Sequence, residues 1–276
     1  HTVANAQDRN RICVDRGAPG MSLQACADLV RRADPDRFLA TMACPPAARR
    51  ILFPFYAFNV EVSRAPWVTS ESMIAEMRLQ FWRDAVADIG AGHSPRAHDV
   101  SAALADVLRP EDAPLLDALI AARRWDVYRN PFQDQADFDA YITATAANLV
   151  WATARALGAP EAAETPVRDY AGAMGTATFL RAIAELQRRE RIPLIDATPQ
   201  QVHDMATQGL AMVQRARDMR RQVPRAVGYA LYAGWQTEVF LKIARNDPAR
   251  VFDGTLAQSE FRRRISLLTL SITGRW

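Results

Sequence analysis

Four polar side chains recur every fourth residue in one stretch of this chain: Glu76, Gln80, Asp84 and Asp88. On a helix that spacing sets them on one face, where they would either line a polar pocket or form the solvated side of an amphipathic helix. Glu61 is a second candidate for chemistry. A lone carboxylate there would act as a metal ligand or general base, or else pair with a guanidinium, Arg64 or Arg181. Arg49, its neighbour Arg50, and Arg181 carry the charge to hold a phosphate or an anionic lipid head group, and equally the charge of an ordinary surface or capping residue. His93, His98 and His203 have no chemical partner close in sequence. Cys13, Cys26 and Cys44 lack CxxC spacing, which argues against a zinc site or a disulfide framework and fits a reducing compartment.

The composition describes a folded chain that must hold these groups in place. Of 276 residues, 49% are hydrophobic and 24% charged, enough apolar material for a sizeable core. The net charge is only +3, and the arginines are scattered apart from short runs at Arg220-Arg221 and Arg262-Arg263-Arg264. No basic face of the kind that binds nucleic acid is evident, so no nucleic-acid partner is expected. The longest apolar runs, residues 51–60 and 265–273, fall well short of the ~20 residues that span a bilayer. The first twenty residues lack the apolar run of a secretory signal, and Met21-Ser22-Leu23 reads as a start. Residues 1–20 are therefore expected to be a non-native or disordered leader and residues 21–276 the domain. A cytoplasmic location is expected, with room for peripheral contact at the inner membrane. Phe261 to Leu268 sets arginines beside apolar residues, as suits either an anionic membrane surface or an ordinary packing helix.

Helix signals dominate the elements that must position these residues. Pro45-Pro46 opens a segment with Ile51, Phe55, Phe58 and Val62 on one face, and Pro54 should kink it. A second helix is predicted from an N-cap at Thr69-Ser70-Glu71 to Gly90 and Gly92, a third from Asp112-Pro114, and a fourth over 136–157, closed by Gly158. Thr165-Pro166 and Thr198-Pro199 each read as an N-cap followed by proline at the first helical position. A long helix is predicted from Pro224 to Asn246 and a last one over 258–272. No period-2 strand stands out, and seven to nine helices with short loops predict one bundle.

Several blocks resemble one family in order and spacing. Asp36-Arg37-Phe38-Leu39-Ala40-Thr41, Ala48-Arg49-Arg50, Tyr56-Ala57-Phe58-Asn59 and Arg78-Leu79-Gln80-Phe81-Trp82-Arg83-Asp84 are similar to stretches of the squalene/phytoene synthase family. Phe179-Leu180-Arg181-Ala182-Ile183 through Arg191-Ile192-Pro193-Leu194 resembles a later block, and Tyr141 falls where that family has a tyrosine. The resemblance spans roughly residues 30–255. It implies an all-α, isoprenoid-synthase-like helical bundle with a central cavity. Active members join two prenyl diphosphates head to head, using two facing helices whose carboxylates hold Mg²⁺.

At those acid positions this sequence departs from the pattern. Ser63, Arg64 and Trp67 stand where the first motif has its acids, and Ala182 and Leu186 replace the aspartates of the second, leaving Glu185. Gly175 and Thr178 stand where active relatives carry Gln and Asn. The remaining cavity or ligand candidates are Arg49, Tyr56, Asn59, Glu61, Arg64, Thr178, Arg181 and Glu185. The pattern is closer to the branch that includes the mitochondrial complex I assembly factor and its bacterial relatives. It implies a pseudoenzyme: an assembly-factor-like or lipid- or isoprenoid-binding protein with no catalytic residue, no cofactor and respiratory-complex assembly partners. The alternative is a diverged prenyl-diphosphate transferase, which would need Mg²⁺. A scaffold with no ligand at all is a third reading.

Overall fold

The computed structural model describes residues 19–69, 71–128 and 130–276, with side chains from Ser22 onward. The expected leader lies almost wholly outside them, as does Ser70. Fifteen α-helical segments and no strand occur among the described residues. They are α1 (Pro19–Ala33), α2 (Pro35–Met42), α3 (Pro46–Arg64), α4 (Ser72–Gly90), α5 (Asp99–Ala105), α6 (Ala113–Ala122), α7 (Arg124–Val127), α8 (Gln135–Ile142) and α9 (Asn148–Ala156). After these come α10 (Glu164–Arg188), α11 (Pro199–Asp218), α12 (Arg225–Gly228), α13 (Thr237–Asn246), α14 (Ala249–Phe252) and α15 (Glu260–Thr273).

The long helix α10 is the spine of the bundle, lying against α9, α11 and α13. Many of its inward residues are small or medium: Ala171, Ala173, Ala177, Leu180, Ile183 and Ala184 are buried. Small side chains let neighbouring backbones approach closely, as at Gly175, where an added Cβ would sit 2.6 Å from Ala146 Cβ. α3 contributes the aromatic half of the core. Phe55 and Phe58 are fully buried, and Phe58 meets Trp82 of α4 edge-on at 5.6 Å. Burying each ring contributes about 1.5–3 kcal/mol. α3 runs through Pro54 to Arg64 without a break.

Capping explains where several helices begin and why some expected boundaries move. Asp34 caps α2, its carboxylate accepting from the Arg37 N–H at 3.0 Å, and Thr198 caps α11 by accepting from Gln201 at 3.1 Å. The N-cap of α4 is Glu71, without a side-chain cap; Thr69 instead accepts from the Glu71 N–H at 3.1 Å. Thr165 is not the N-cap of α10. A 3₁₀ turn over Glu161–Ala163 leads directly into the helix, which starts at Glu164 and takes Thr165 and Pro166 into its first turn. The helix expected over 136–157 is continuous but changes pitch: α8 and α9 are joined by a π turn at Thr143–Ala147. The helix expected from Pro224 to Asn246 is broken into α12, a 3₁₀ stretch at Tyr229–Gly234, and α13. Tyr170 donates its hydroxyl proton to the Gly234 carbonyl at 2.9 Å, where a Cβ on residue 234 would strike the Tyr170 ring. That close approach is a packing demand, not a local preference.

Candidate functional site

α3 and α10 face each other across a cleft of about 440 Å³. From α3 it takes Asn59, Val60, Ser63 and Arg64, with Trp67 just beyond the helix end. From α10 it takes Met174, Gly175, Thr178, Phe179, Ala182 and Leu186. The π turn and its flanks close one side with Tyr141, Ile142, Thr145 and Leu149, and the α1–α2 junction supplies Asp34 and Arg37. Arg123 and Asp126 come from the α6–α7 corner. All five positions where the family pattern calls for acids, Ser63, Arg64, Trp67, Ala182 and Leu186, lie in this wall.

The wall holds three arginines and two aspartates, and the aspartates are engaged. Asp34 caps α2 and lies 3.5 Å from Arg37 Nε. Arg123 donates to Asp126 at 3.2 Å and to the Tyr141 hydroxyl at 2.8 Å, and Tyr141 donates to Asp126 at 3.2 Å. Burial pushes the Asp126 carboxyl above its ordinary value against the pull of Arg123. It pushes the Tyr141 hydroxyl up as well. Burial also works against the charge on Arg123, but Tyr141 and Asp126 outweigh it and hold the guanidinium protonated. Even so, the arginines are not saturated. Arg37 Nη1, Arg123 Nε and the acceptor Asn59 Oδ1 are all buried without a hydrogen-bond partner. A buried polar group left unmade costs about 1–3 kcal/mol, so the fold holds these three groups in the cleft wall at a cost.

The donor set does not fit the Mg²⁺ that the resemblance implies for active relatives. Mg²⁺ takes near-octahedral oxygen ligation anchored on carboxylates. Ser63 donates its hydroxyl to the Val60 carbonyl at 3.2 Å. Ala182 and Leu186 offer no oxygen, and Arg64 brings charge of the cation's own sign. Among the described residues no group of three or more His, Cys, Asp or Glu side chains converges.

Five of the sequence-level candidates lie outside the wall. Glu61 pairs with Arg64 at 2.7 Å, one helical turn away. Arg181 leans outward, 4.4 Å over the Phe240 ring and 3.8 Å from Asp36. Glu185 is a surface acid held below the usual range by hydrogen bonds from Arg189 and Arg188. Arg49 donates to the carbonyls of Cys44 and Met42 at 2.7 and 2.8 Å, closing the end of α2. Tyr56 is buried core beneath Arg37, whose guanidinium sits 4.9 Å from the ring centre. The acids of the α4 stripe are half-buried and ion-paired: Glu76 to Arg124, and Asp84 and Asp88 to Arg96. Sequence reasoning gave Arg37, Arg123 and Asp126 no site role. The one local sign was the Arg123/Asp126 spacing of three, which brings two such residues together on a helix.

A larger groove of about 870 Å³ runs outside the bundle between α8, α10 and α11. Its arginines are satisfied: Arg168 donates to Glu164 at 2.6 Å and to Asn148 at 2.9 Å, and Arg215 to Asp169 at 3.0 Å.

The family model for squalene/phytoene synthase matches residues 30–196. The complex I assembly factor 6 of Mus musculus is 25% identical over 94% of this chain and 84% of its own length. That of Homo sapiens is 23% identical over 84% of this chain and 77% of its own length. A crystal structure of a dehydrosqualene synthase superposes with a TM-score of 0.78 over 92% of this chain and 97% of its own, at 16% identity. A squalene synthase from Alicyclobacillus acidocaldarius gives 0.66 over 84% and 95%, at 17% identity. These two structures share the fold.

Proposed function

We propose, from the premise that this chain belongs to the squalene/phytoene synthase family, that it is a non-catalytic, assembly-factor-like member whose central cleft holds an isoprenoid or lipid by an anionic head group without metal. One observation carries the reading: the cleft has guanidinium and apolar groups where prenyl-diphosphate chemistry needs carboxylates, and two of its arginines have buried donors with no partner. Expelling a diphosphate from carbon in an apolar site develops charge that fixed metal ions stabilise. Losing even one fixed hydrogen-bond donor to developing charge costs about 3–4 kcal/mol. Binding an anion asks less. Arg37 and Arg123 line the cleft, and Val60, Leu149, Met174, Phe179 and Leu186 offer apolar contact to a chain. The cleft is at the small end of the roughly 300–1,000 Å³ of ordinary ligand sites, which suits one chain better than two side by side.

The assembly role rests on the curated relatives, whose names assign them to complex I. A respiratory-complex assembly partner is accordingly proposed for this chain. A transferase with a rebuilt metal site would have to recruit Asp34 and Asp126, and both are engaged by arginines. Calorimetry with a non-hydrolysable farnesyl diphosphate analogue tests the reading, run with Mg²⁺ and with a chelator. Binding that is indifferent to the chelator and about tenfold weaker in Arg123→Gln is expected. Micromolar binding that requires Mg²⁺ would overturn it.

A further inference from the structure

Helix α15 buries one face and turns an apolar line outward on the other. Leu270 is buried, Arg263 and Leu267 face Leu39, Met42 and Trp235 across a shallow groove, and Arg264 and Leu268 form that groove's outer lip. Phe261, Ile265, Leu268 and Ile272 follow at spacings of four, three and four. On a 3.6-residue helix that is a single stripe, opposite Leu270. They are 74, 47, 59 and 70% exposed. Single exposed apolar residues are ordinary on a protein surface, whereas four large ones in line form a patch that calls for a partner.

The borders of the stripe identify the partner's chemistry. Helical geometry puts Arg262 on one edge and Arg264 on the other. Arg264 is 84% exposed and only 3.7 Å from Glu260, the one acid of the helix. An apolar line bordered on both sides by arginines has the form of a helix lying in the surface of an anionic bilayer: ring and aliphatic groups sink below the head groups, and the arginine stems reach back to the phosphates. A second copy of the chain docking stripe to stripe would bring like charges together along both edges. None of the described helices is long and apolar enough to cross a membrane, so the contact would lie along the surface. The inner face of α15 is tied to residues next to the cleft wall. Arg263 of α15 and Arg181 of α10 both reach Asp36, at 2.8 and 3.8 Å, and the neighbours Arg37 and Ala182 line the cleft.

We infer that α15 docks this protein on anionic lipid surfaces through Phe261, Ile265, Leu268 and Ile272, with Arg262 and Arg264 contacting lipid phosphates. The contact does not depend on what the cleft holds. Co-sedimentation of the full chain with phosphatidylcholine vesicles, with and without phosphatidylglycerol, tests it. Binding is expected to the anionic vesicles and to weaken with salt. Phe261→Ser combined with Leu268→Ser should lower it on the order of tenfold or more. Arg262→Gln with Arg264→Gln should erase the preference for phosphatidylglycerol, circular dichroism confirming the fold of both variants. Three results would each overturn the inference: no binding to anionic vesicles, binding that the stripe variants leave intact, or a dimer in sedimentation velocity that those variants dissolve.

Discussion

The two concavities of this bundle differ in a way that size does not capture. The outer groove between α8, α10 and α11 is the larger, yet Arg168 and Arg215 within it already have carboxylate partners. The cleft between α3 and α10 has half the volume and keeps two arginines with buried, unused donors. Charge that is locally paired stabilises a surface weakly and asks for nothing more. Charge that is buried and only partly paired is held by the fold at a cost, and is the better sign of a ligand.

The comparison breaks if the two regions respond alike to mutation. Asp126→Ala strips the partner from a buried guanidinium and should destabilise by about 3–5 kcal/mol, read as a lower midpoint in urea. Asp169→Ala on the groove pair, whose Arg215 is solvent-exposed, should cost less, about 1 kcal/mol. Equal losses would show that burial does not distinguish the regions. Between these extremes lies Gly175→Ala. Its new methyl would meet Ala146 Cβ at 2.6 Å and Ile142 Cγ2 at 2.9 Å, where neither the π turn nor α10 has a flexible end to yield. A loss of about 1–3 kcal/mol is expected, with the cleft's affinity for an anionic amphiphile changed alongside; an unchanged midpoint would mean the π turn relaxes freely. The smallest effect concerns the thiols. Burial pushes Cys26 and Cys44 up to about 12. In a Cys13→Ser background neither should react with a thiol reagent near neutral pH until denaturant is added.

Much of the fold was legible because its signals are local. Apolar residues at helical spacing in α3, the Thr198 cap and the glycines after α4 and α9 each act within a turn or two of the chain. Gly92 and Gly158 adopt the left-handed conformation, φ +74° and +90°, that ends a helix. The break between α12 and α13 was not legible, since it depends on Tyr170 reaching Gly234 from sixty-four residues away. The same division holds at the site. The missing acids could be read by position, and all five of those positions do line the cleft. The pairing of Glu61 with Arg64 could also be read, being one turn long. The outward course of Arg181 could not, because Phe240 and Asp36, which hold it there, lie on other helices. Arg123 and Asp126 meet within one turn, but Tyr141 joins them from α8, fifteen residues on, and Arg37 reaches the same cleft from α2.

The most direct test of the account is a product assay on the unmodified chain. It would be incubated at length with labelled farnesyl and geranylgeranyl diphosphate, Mg²⁺ and a reductant, then extracted. No head-to-head hydrocarbon of thirty or forty carbons is predicted, because a fixed guanidinium cannot reproduce a multi-metal clamp on two diphosphates. A metal-dependent product of either length would contradict the central claim that this cleft binds without catalysing.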